Sequence, residues 1–292
     1  MRKWIIILPP SVWLVLFFVI PFLLVLRLSL SDAALARPPY APHFDISAGW
    51  EGFRAFLAGL DFDNYARVLG DSLYISAYLN SVKIATIATL VTLAIGYPVA
   101  YAIACASPRV QPALITLVIM PFWTSLLIRV YAWMGILSDS GYLNQLLQWA
   151  GITDAPIRIL NTTGAIYIGM VYAYLPFVVL PIYAMLQKMD RSLIEAATDL
   201  GCTRLSAFWR ITFPLSLPGV GAGAFLVFVP SVGEFVIPSL LGGSGNLMIG
   251  RVLWDEFFAS RDWPMAATVA VLLLLVLMGP IAIYQHLRRR SA

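Results

Sequence analysis

The sequence predicts an all-α integral membrane protein with six transmembrane helices. Of its 292 residues, 60% are hydrophobic and only 12% are charged, and the mean hydropathy is +0.84. An average soluble domain has about 25% charged residues, so this chain carries more apolar surface than its own core could hide from water. The same figures exclude a disordered chain, a disulfide-rich scaffold and a nucleic-acid-binding domain.

Six apolar stretches are long enough to cross a hydrocarbon core of about 30 Å, which requires about 20 helical residues. The first stretch follows Arg2 and Lys3, as a signal peptide would. Its apolar run exceeds the roughly 7 to 15 residues of a signal sequence, so we interpret it as an uncleaved span. The predicted spans cover residues 4–26, 84–106, 110–137, 164–187, 217–241 and 263–284.

The distribution of charge predicts the orientation, because lysine and arginine are retained on the cytoplasmic side. With both termini in the cytoplasm, the inner side has ten basic and three acidic residues, and the outer side has six basic and eleven acidic ones. We therefore expect a first helix over 1–30, a periplasmic loop with short amphipathic helices over 31–72, a five-helix core over 73–287, and a basic cytoplasmic tail over 288–292.

Within the core, the second periplasmic loop covers residues 138–163. Its middle has the pattern of a helix that ends at Gly151, and this helix can either contact another protein or pack over the bundle.

Cys105 and Cys202 fall at the cytoplasmic side, where we expect two buried, unbonded thiols. The cysteines and histidines show no metal-binding spacing, and no nucleophile arrangement is visible.

One inner loop, residues 188–214, is long enough to hold two short helices. Asp190 or Ser192 can cap the first helix, Gly201 can stop it, and a second piece starts at Arg204. The first helix would present a narrow face that suits a groove in a partner protein, formed by Leu193, Ala196, Ala197 and Leu200.

This loop resembles the EAA motif of bacterial ABC importer permeases, which is written EAA-x3-G-x9-I-x-L-P. Phe213 stands where leucine is usual, and the other motif positions match. The resemblance implies the type I importer permease fold and inward transport by alternating access. It also implies a coupling helix that seats in the ATPase subunit, carried here by Glu195, Ala196, Ala197 and Gly201.

The chain itself has no nucleotide-binding loop. Its lysines are Lys3, Lys83 and Lys188, and none follows a glycine as a P-loop lysine does. We therefore expect a non-catalytic subunit that binds no cofactor, while a partner ATPase uses ATP and Mg. The resemblance implies a homologous second permease subunit, two copies of the ATPase subunit and a periplasmic binding protein, in the lipid of a bacterial inner membrane.

Four further segments look like the putrescine and spermidine branch of these permeases. They are residues 121–135, 171–177, 232–238 and 248–258. The resemblance implies a small cationic substrate, with putrescine first and spermidine as the alternative. A stand-alone secondary transporter or channel would also explain six spans, but it would leave the long inner loop without a purpose.

Glu234 is the acidic residue inside a predicted span, and such a residue is a functional candidate. It can attract a substrate ammonium, or it can form a structural ion pair with Arg129 at similar depth. Pro230 and Pro238 bracket it and should break the helix, which favours the pathway. Nearby aromatic rings can add cation–π attraction, although packing or anchoring at the membrane interface is the commoner role for each ring taken singly. The predicted pathway residues are Glu234, Trp123, Tyr131, Tyr172 and Tyr174, with Trp254, Asp255 and Glu256 at the outer entrance, where the acids can instead pair with Arg251 and Arg261.

Overall fold

The structure, a computed structural model, describes residues 2–34, 36–43, 49–190, 192–243 and 245–290. Its regular structure is helical apart from one short ribbon of β1 (Asp32–Ala33) and β2 (Tyr40–Ala41). The all-α prediction is therefore confirmed. The chain forms two compact units, residues 1–78 with 249–292, and residues 79–248.

Fifteen α-helices follow one another along the described residues, and three π-helical turns and one 3-10 turn extend them. The π turns are Val15–Val19, Phe208–Thr212 and Asp255–Ser260, and the 3-10 turn is Met120–Trp123. In chain order the helices are α1 (Arg2–Leu14), α2 (Ile20–Ser29), α3 (Gly49–Ala58), α4 (Asp63–Gly70), α5 (Ser72–Cys105), α6 (Gln111–Ile119), α7 (Leu126–Leu137), α8 (Tyr142–Trp149), α9 (Thr163–Gln187), α10 (Ser192–Asp199), α11 (Arg204–Ala207), α12 (Phe213–Val232), α13 (Val236–Leu241), α14 (Ile249–Trp254) and α15 (Trp263–Arg290).

Four of these helical stretches are long and apolar enough to cross a membrane: Ile7–Ser29, Ser72–Cys105, Thr163–Gln187 and Arg204–Val232. The third predicted span is not a continuous helix, because Gln111–Trp123 and Leu126–Trp149 meet at a bend of 92°. Pro121 lies in the 3-10 turn before the bend, and Thr124 and Ser125 are extended. The sixth predicted span begins with a shorter apolar helix, Trp263–Gly279.

In the unit formed by residues 1–78 and 249–292, α2 packs against α15. Arg27 near the end of α2 holds the loop that follows. Its Nη2 donates to the carbonyl of Pro42 over 3.3 Å, and its guanidinium lies 4.7 Å from the ring centre of Phe56. Asn64 on α4 is buried and donates to the carbonyl of Ser31 over 2.7 Å. The short helices predicted for the 31–72 loop are present as α3 and α4.

In the unit formed by residues 79–248, α9 and α12 pack closely through two glycines one turn apart. A Cβ on Gly219 would lie 2.8 Å from the carbonyl oxygen of Pro181, and one on Gly223 would lie 3.2 Å from Cα of Val178. Small residues of this kind let the backbones of two membrane helices approach each other. This helix pair forms the frame on which the candidate site is built.

The predicted helix in the 138–163 loop is α8, and Gly151 ends it with a φ of +66°. Asn144 holds its inner face: Nδ2 donates to the carbonyl oxygens of Ser138 and Ile157, and Oδ1 accepts from the amide of Ile157. The opposite face of α8 is open, with Trp149 85% exposed.

Of the two cysteines, Cys105 is exposed and Cys202 is half-buried, so the expectation of two buried thiols is wrong.

Candidate functional site

Glu234 lies in a break between two helices. α12 ends at Val232 and α13 begins at Val236. The carboxylate Oε1 accepts hydrogen bonds from the amides of Phe235 at 3.1 Å and Val236 at 2.9 Å. The first amides of a helix have no partner within the helix, so Glu234 satisfies these two. The predicted break in this span is present, and it fixes one oxygen of the carboxylate.

Tyr174 fixes the other oxygen. Its hydroxyl on α9 donates to Oε2 of Glu234 over 2.5 Å, and its side chain is only 9% exposed. Hydrogen bonds to an ionised acceptor are shorter and stronger than neutral ones. The carboxylate is therefore held by three donors, two from the backbone and one from a neighbouring helix.

The alternative ion pair between Arg129 and Glu234 is not formed. Among the described residues, no nitrogen of Arg129 lies within 4.0 Å of a carboxylate oxygen. The guanidinium instead lies 5.5 Å from the ring centre of Phe122. Its Nε and Nη1 are buried and have no hydrogen-bond partner in the described part of the chain. The Glu234 carboxylate is held by Tyr174 and the start of α13 instead.

The other predicted pathway aromatics have different surroundings. Trp123 is 71% exposed and Tyr131 is also exposed. Tyr172 makes an edge contact with Trp133, at 5.4 Å between ring centres, and lines an apolar cleft of about 430 Å³. Of these tyrosines and tryptophans, Tyr174 is the one that hydrogen-bonds Glu234.

Two phenylalanines that were not selected from the sequence extend the cluster around Tyr174. The ring of Phe177 lies 6.1 Å from Tyr174 and 5.2 Å from Phe122, which in turn contacts Arg129. A row of rings thus leads from the Glu234 carboxylate to the Arg129 guanidinium. Helical spacing between Tyr174 and Phe177 was the one signal that could have identified Phe177.

The predicted entrance residues belong to the other unit. Nε of Arg251 lies 3.8 Å from Oδ2 of Asp255 on an exposed helix face. This is the pairing that the sequence offered as the alternative to a role at the entrance. Glu256 accepts a hydrogen bond of 2.7 Å from the hydroxyl of Tyr74 on α5. The ring of Trp254 contacts that of Phe258, with ring centres 4.1 Å apart and planes tilted by 37°. Tyr74 was missed because it lies 182 positions from Glu256, beyond the reach of any local pattern.

The EAA segment forms the predicted helix-turn-helix. Asp190 Oδ1 accepts from the amide of Ser192 over 3.0 Å, which caps α10 and lowers the pKa of the Asp190 carboxyl. Gly201 ends the helix with a φ of +81°, and the amide of Cys202 donates back to the carbonyl of Ala197 over 2.9 Å. Both the predicted cap and the predicted stop are present.

The four motif residues do not all face the same way. Glu195, Ala196 and Gly201 are exposed, whereas Ala197 is 8% exposed and packs against the chain itself. Leu193 and Leu200 are exposed as expected. The predicted docking face therefore lacks Ala197, since the small side chain there lets α10 lie close to its own unit.

Comparison with known proteins agrees with these features. Residues 85–292 match the family described as the inner membrane component of binding-protein-dependent transport systems. The spermidine/putrescine transport system permease protein PotB of Escherichia coli is 40% identical over 280 residues, which cover 95% of this chain and 94% of that protein. PotB of Haemophilus influenzae is 39% identical, over 93% of this chain and 89% of its own length.

The fold is similar to that of a bacterial ABC transporter involved in the import of the acidic polysaccharide alginate. The TM-score is 0.72 at 18% identity, over 99% of this chain and 96% of the other. The same values hold for that transporter in complex with a periplasmic protein bound to an alginate pentasaccharide. The chain has the type I importer fold and is a non-catalytic membrane subunit, which confirms both expectations. It belongs to the inner membrane permease family of binding-protein-dependent ABC importers.

Proposed function

We propose that this chain is one of two permease subunits of an importer for polyamines, and that Glu234 binds a substrate ammonium on its way through the membrane. The relatives named for spermidine and putrescine transport support the substrate class. The observation that carries the proposal is the Glu234 carboxylate, held in a helix break by three donors and without a basic partner among the described residues.

The chemistry of this group suits an organic cation. An alkylammonium has a pKa of about 10.4 and is charged at neutral pH. The donors hold both carboxylate oxygens in place, and Oε2, which accepts from Tyr174 alone among them, keeps a lone pair for an ammonium proton. The ring of Tyr174 lies beside the carboxylate and that of Phe177 lies next to Tyr174, and such rings can add about 0.5 to 2 kcal/mol each by cation–π attraction.

For the membrane topology, we propose six spans with both termini in the cytoplasm. The four long helices, the bent pair Gln111–Trp123 with Leu126–Trp149, and Trp263–Gly279 supply six crossings. The excess of lysine and arginine on the side of the α10 loop supports this orientation. The 31–72 and 138–163 loops are then periplasmic, and the 288–292 tail is cytoplasmic.

The energy for transport comes from partner subunits in this proposal. Glu195 and Ala196 on α10 seat in one of two identical ATPase subunits, which use ATP and Mg, and Gly201 supplies the turn that presents them. A second, homologous permease completes the pathway. A periplasmic binding protein delivers the polyamine near Trp254, Asp255 and Glu256. Closure of the ATPase pair opens the site at Glu234 to the outside so that the polyamine can enter, and ATP hydrolysis then reverses the access.

The test is uptake by the complete complex in proteoliposomes. The wild-type complex should take up labelled putrescine and spermidine when ATP and the binding protein are present, and competition between the two shows which is preferred. Glu234→Gln should lower uptake by about tenfold or more, since the charged hydrogen bond to the ammonium is lost. The control is Glu51→Gln at an exposed position on α3. Uptake of neither polyamine by the wild type would disprove the function, and full uptake by Glu234→Gln would disprove the site.

A further inference from the structure

One buried amide, that of Gln111, joins the ends of three helices. Gln111 begins α6 and is 9% exposed. Its Nε2 donates to the carbonyls of Ala104 at 3.3 Å and Ala106 at 2.9 Å, at the end of α5. Its Oε1 accepts from the Tyr183 hydroxyl at 3.3 Å and from Nε2 of Gln187 at 3.1 Å, on the last turns of α9. A primary amide has two donor hydrogens and two acceptor lone pairs, so all four are used.

The joint lies beside α10. Gln187 is the last residue of α9, and the chain passes from it through a short turn to the start of α10 at Ser192. A cavity of about 290 Å³ is lined by Ala104 and Gln187 on one side and by Ile194 and Glu195 of α10 on the other. The two helix ends that Gln111 connects therefore form the wall that faces α10.

We infer that Gln111 is a positioning residue for coupling: it makes the ends of α5, α6 and α9 move together when α10 is displaced. The inference depends on the proposed role of α10 as the coupling helix. Beyond α6 the chain continues into the bent segment that carries Phe122 and Arg129. A displacement of α10 can thus reach the aromatic row beside Glu234 through this amide.

An apolar side chain of similar size would break the connection. Without the Gln111 amide, the carbonyl of Ala106 beyond the end of α5 and the amide of Gln187 would both lose a partner. Ala106 is half-buried, so the helix ends would separate slightly to let water reach its carbonyl, whereas the exposed Gln187 amide can turn to solvent. Each helix could then follow α10 without moving the others.

If the Gln111 amide only stabilises the fold, its loss should not change how much polyamine is taken up for each ATP hydrolysed. If it positions the helices for coupling, its loss should lower that ratio, and the complete complex in proteoliposomes distinguishes the two cases. The measurement is polyamine taken up per ATP hydrolysed. Gln111→Leu should lower this ratio by about fivefold to tenfold, which corresponds to the loss of one or two net hydrogen bonds. Gln187→Leu removes one of the two bonds to α9 and leaves the bond from Tyr183, so it should lower the ratio less, by about twofold to fivefold.

The matched control is Gln145→Leu on α8, where the exposed Nε2 donates to the carbonyl of Ser140 over 2.9 Å. This change should leave the ratio at the wild-type value. An unchanged ratio in an assembled Gln111→Leu complex would overturn the inference. If that variant fails to assemble, the double variant of Gln187→Leu with Tyr183→Phe removes both bonds from α9 to Gln111, and a wild-type ratio in that complex would overturn the inference.

Failure of the proposed function and failure of the positioning role of Gln111 give different results. If the wild-type complex takes up no polyamine, the proposed substrate is wrong. Stimulation of ATP hydrolysis by the periplasmic binding protein then replaces uptake as the measure of coupling. Loss of that stimulation in Gln111→Leu and Gln187→Leu, with retention in Gln145→Leu, would support the positioning role; equal stimulation in all three would overturn it.

Discussion

Tyr174 on α9 donates a 2.5 Å hydrogen bond to Glu234 in the break between α12 and α13. This bond connects α9, the most buried of the four long apolar stretches, to the carboxylate that we propose as the ammonium site. It orients the carboxylate before a substrate arrives, and such preorganisation lowers the cost of binding.

Tyr174→Phe should therefore weaken uptake without abolishing it. The ring and its cation–π surface stay, but one of the three donors to the carboxylate is lost. We expect uptake to fall by about threefold to tenfold, which corresponds to roughly 1 kcal/mol of hydrogen-bond free energy, and less than for Glu234→Gln. The matched control is Tyr172→Phe on the same helix, which should transport like the wild type. Equal losses in both variants would contradict the role given to the Tyr174 hydroxyl.

Gly201→Ala should disturb the coupling segment through the backbone alone. A Cβ at this position would meet no other atom within 4 Å, but the φ of +81° disfavours any side chain by about 1 to 2 kcal/mol. We expect lower uptake per ATP hydrolysed in an otherwise assembled complex. Gly70→Ala, at a position with open space and no positive φ, is the control. Wild-type coupling in Gly201→Ala would show that the turn does not present α10 to its partner.

Gly219→Leu should separate α9 from α12. Even a Cβ there would meet backbone atoms of α9 at 2.8 Å and 3.1 Å, so a leucine cannot be accommodated without moving a helix. Overpacking of this kind costs about 1 to 3 kcal/mol. Thermal unfolding in detergent should begin at a lower temperature than for Gly135→Leu, where a Cβ has open space. Identical unfolding of the two variants would refute the close packing.

Local chemistry explains which parts of the coupling segment could be predicted from the sequence. Asp190 caps α10 and Gly201 ends it, and both signals act within a few residues of the helix end that they determine. The choice between Ala196 and Ala197 as the exposed alanine could not be made. Both lie on the small-residue face, and only the packing of α10 on its own unit buries Ala197.

Longer-range features were harder to predict. The apolar run over 110–137 indicated a single span, since hydropathy records composition and not backbone direction, and the bend at Thr124 and Ser125 is invisible to it. Glu234 was identified from the sequence because it is an acidic residue inside a predicted membrane span. Its partner Tyr174 is 60 residues away, and only the packing of α9 on the following helices brings the hydroxyl to the carboxylate.

Glu256 presents a case in which stability and transport can be separated. Its carboxylate accepts a 2.7 Å hydrogen bond from Tyr74, whose side chain is 8% exposed. If the pair has a structural role, Tyr74→Phe and Glu256→Gln should each lower thermal stability, and the double variant should be little worse than either. The expected coupling free energy is about 0.5 to 3 kcal/mol, as found for residues in contact.

Transport measurements on the same variants test the entrance role proposed for Glu256. An acid that attracts the substrate should raise the KM for polyamine when it is neutralised, and Tyr74→Phe should leave the KM unchanged. For the stability measurement alone, the comparison is the exposed pair of Arg251 and Asp255, since such surface pairs contribute at most about 1 kcal/mol. Additive losses of stability in Tyr74→Phe and Glu256→Gln, with a KM raised in Glu256→Gln alone, would assign Glu256 to the substrate. A non-additive loss with an unchanged KM would assign it to the fold.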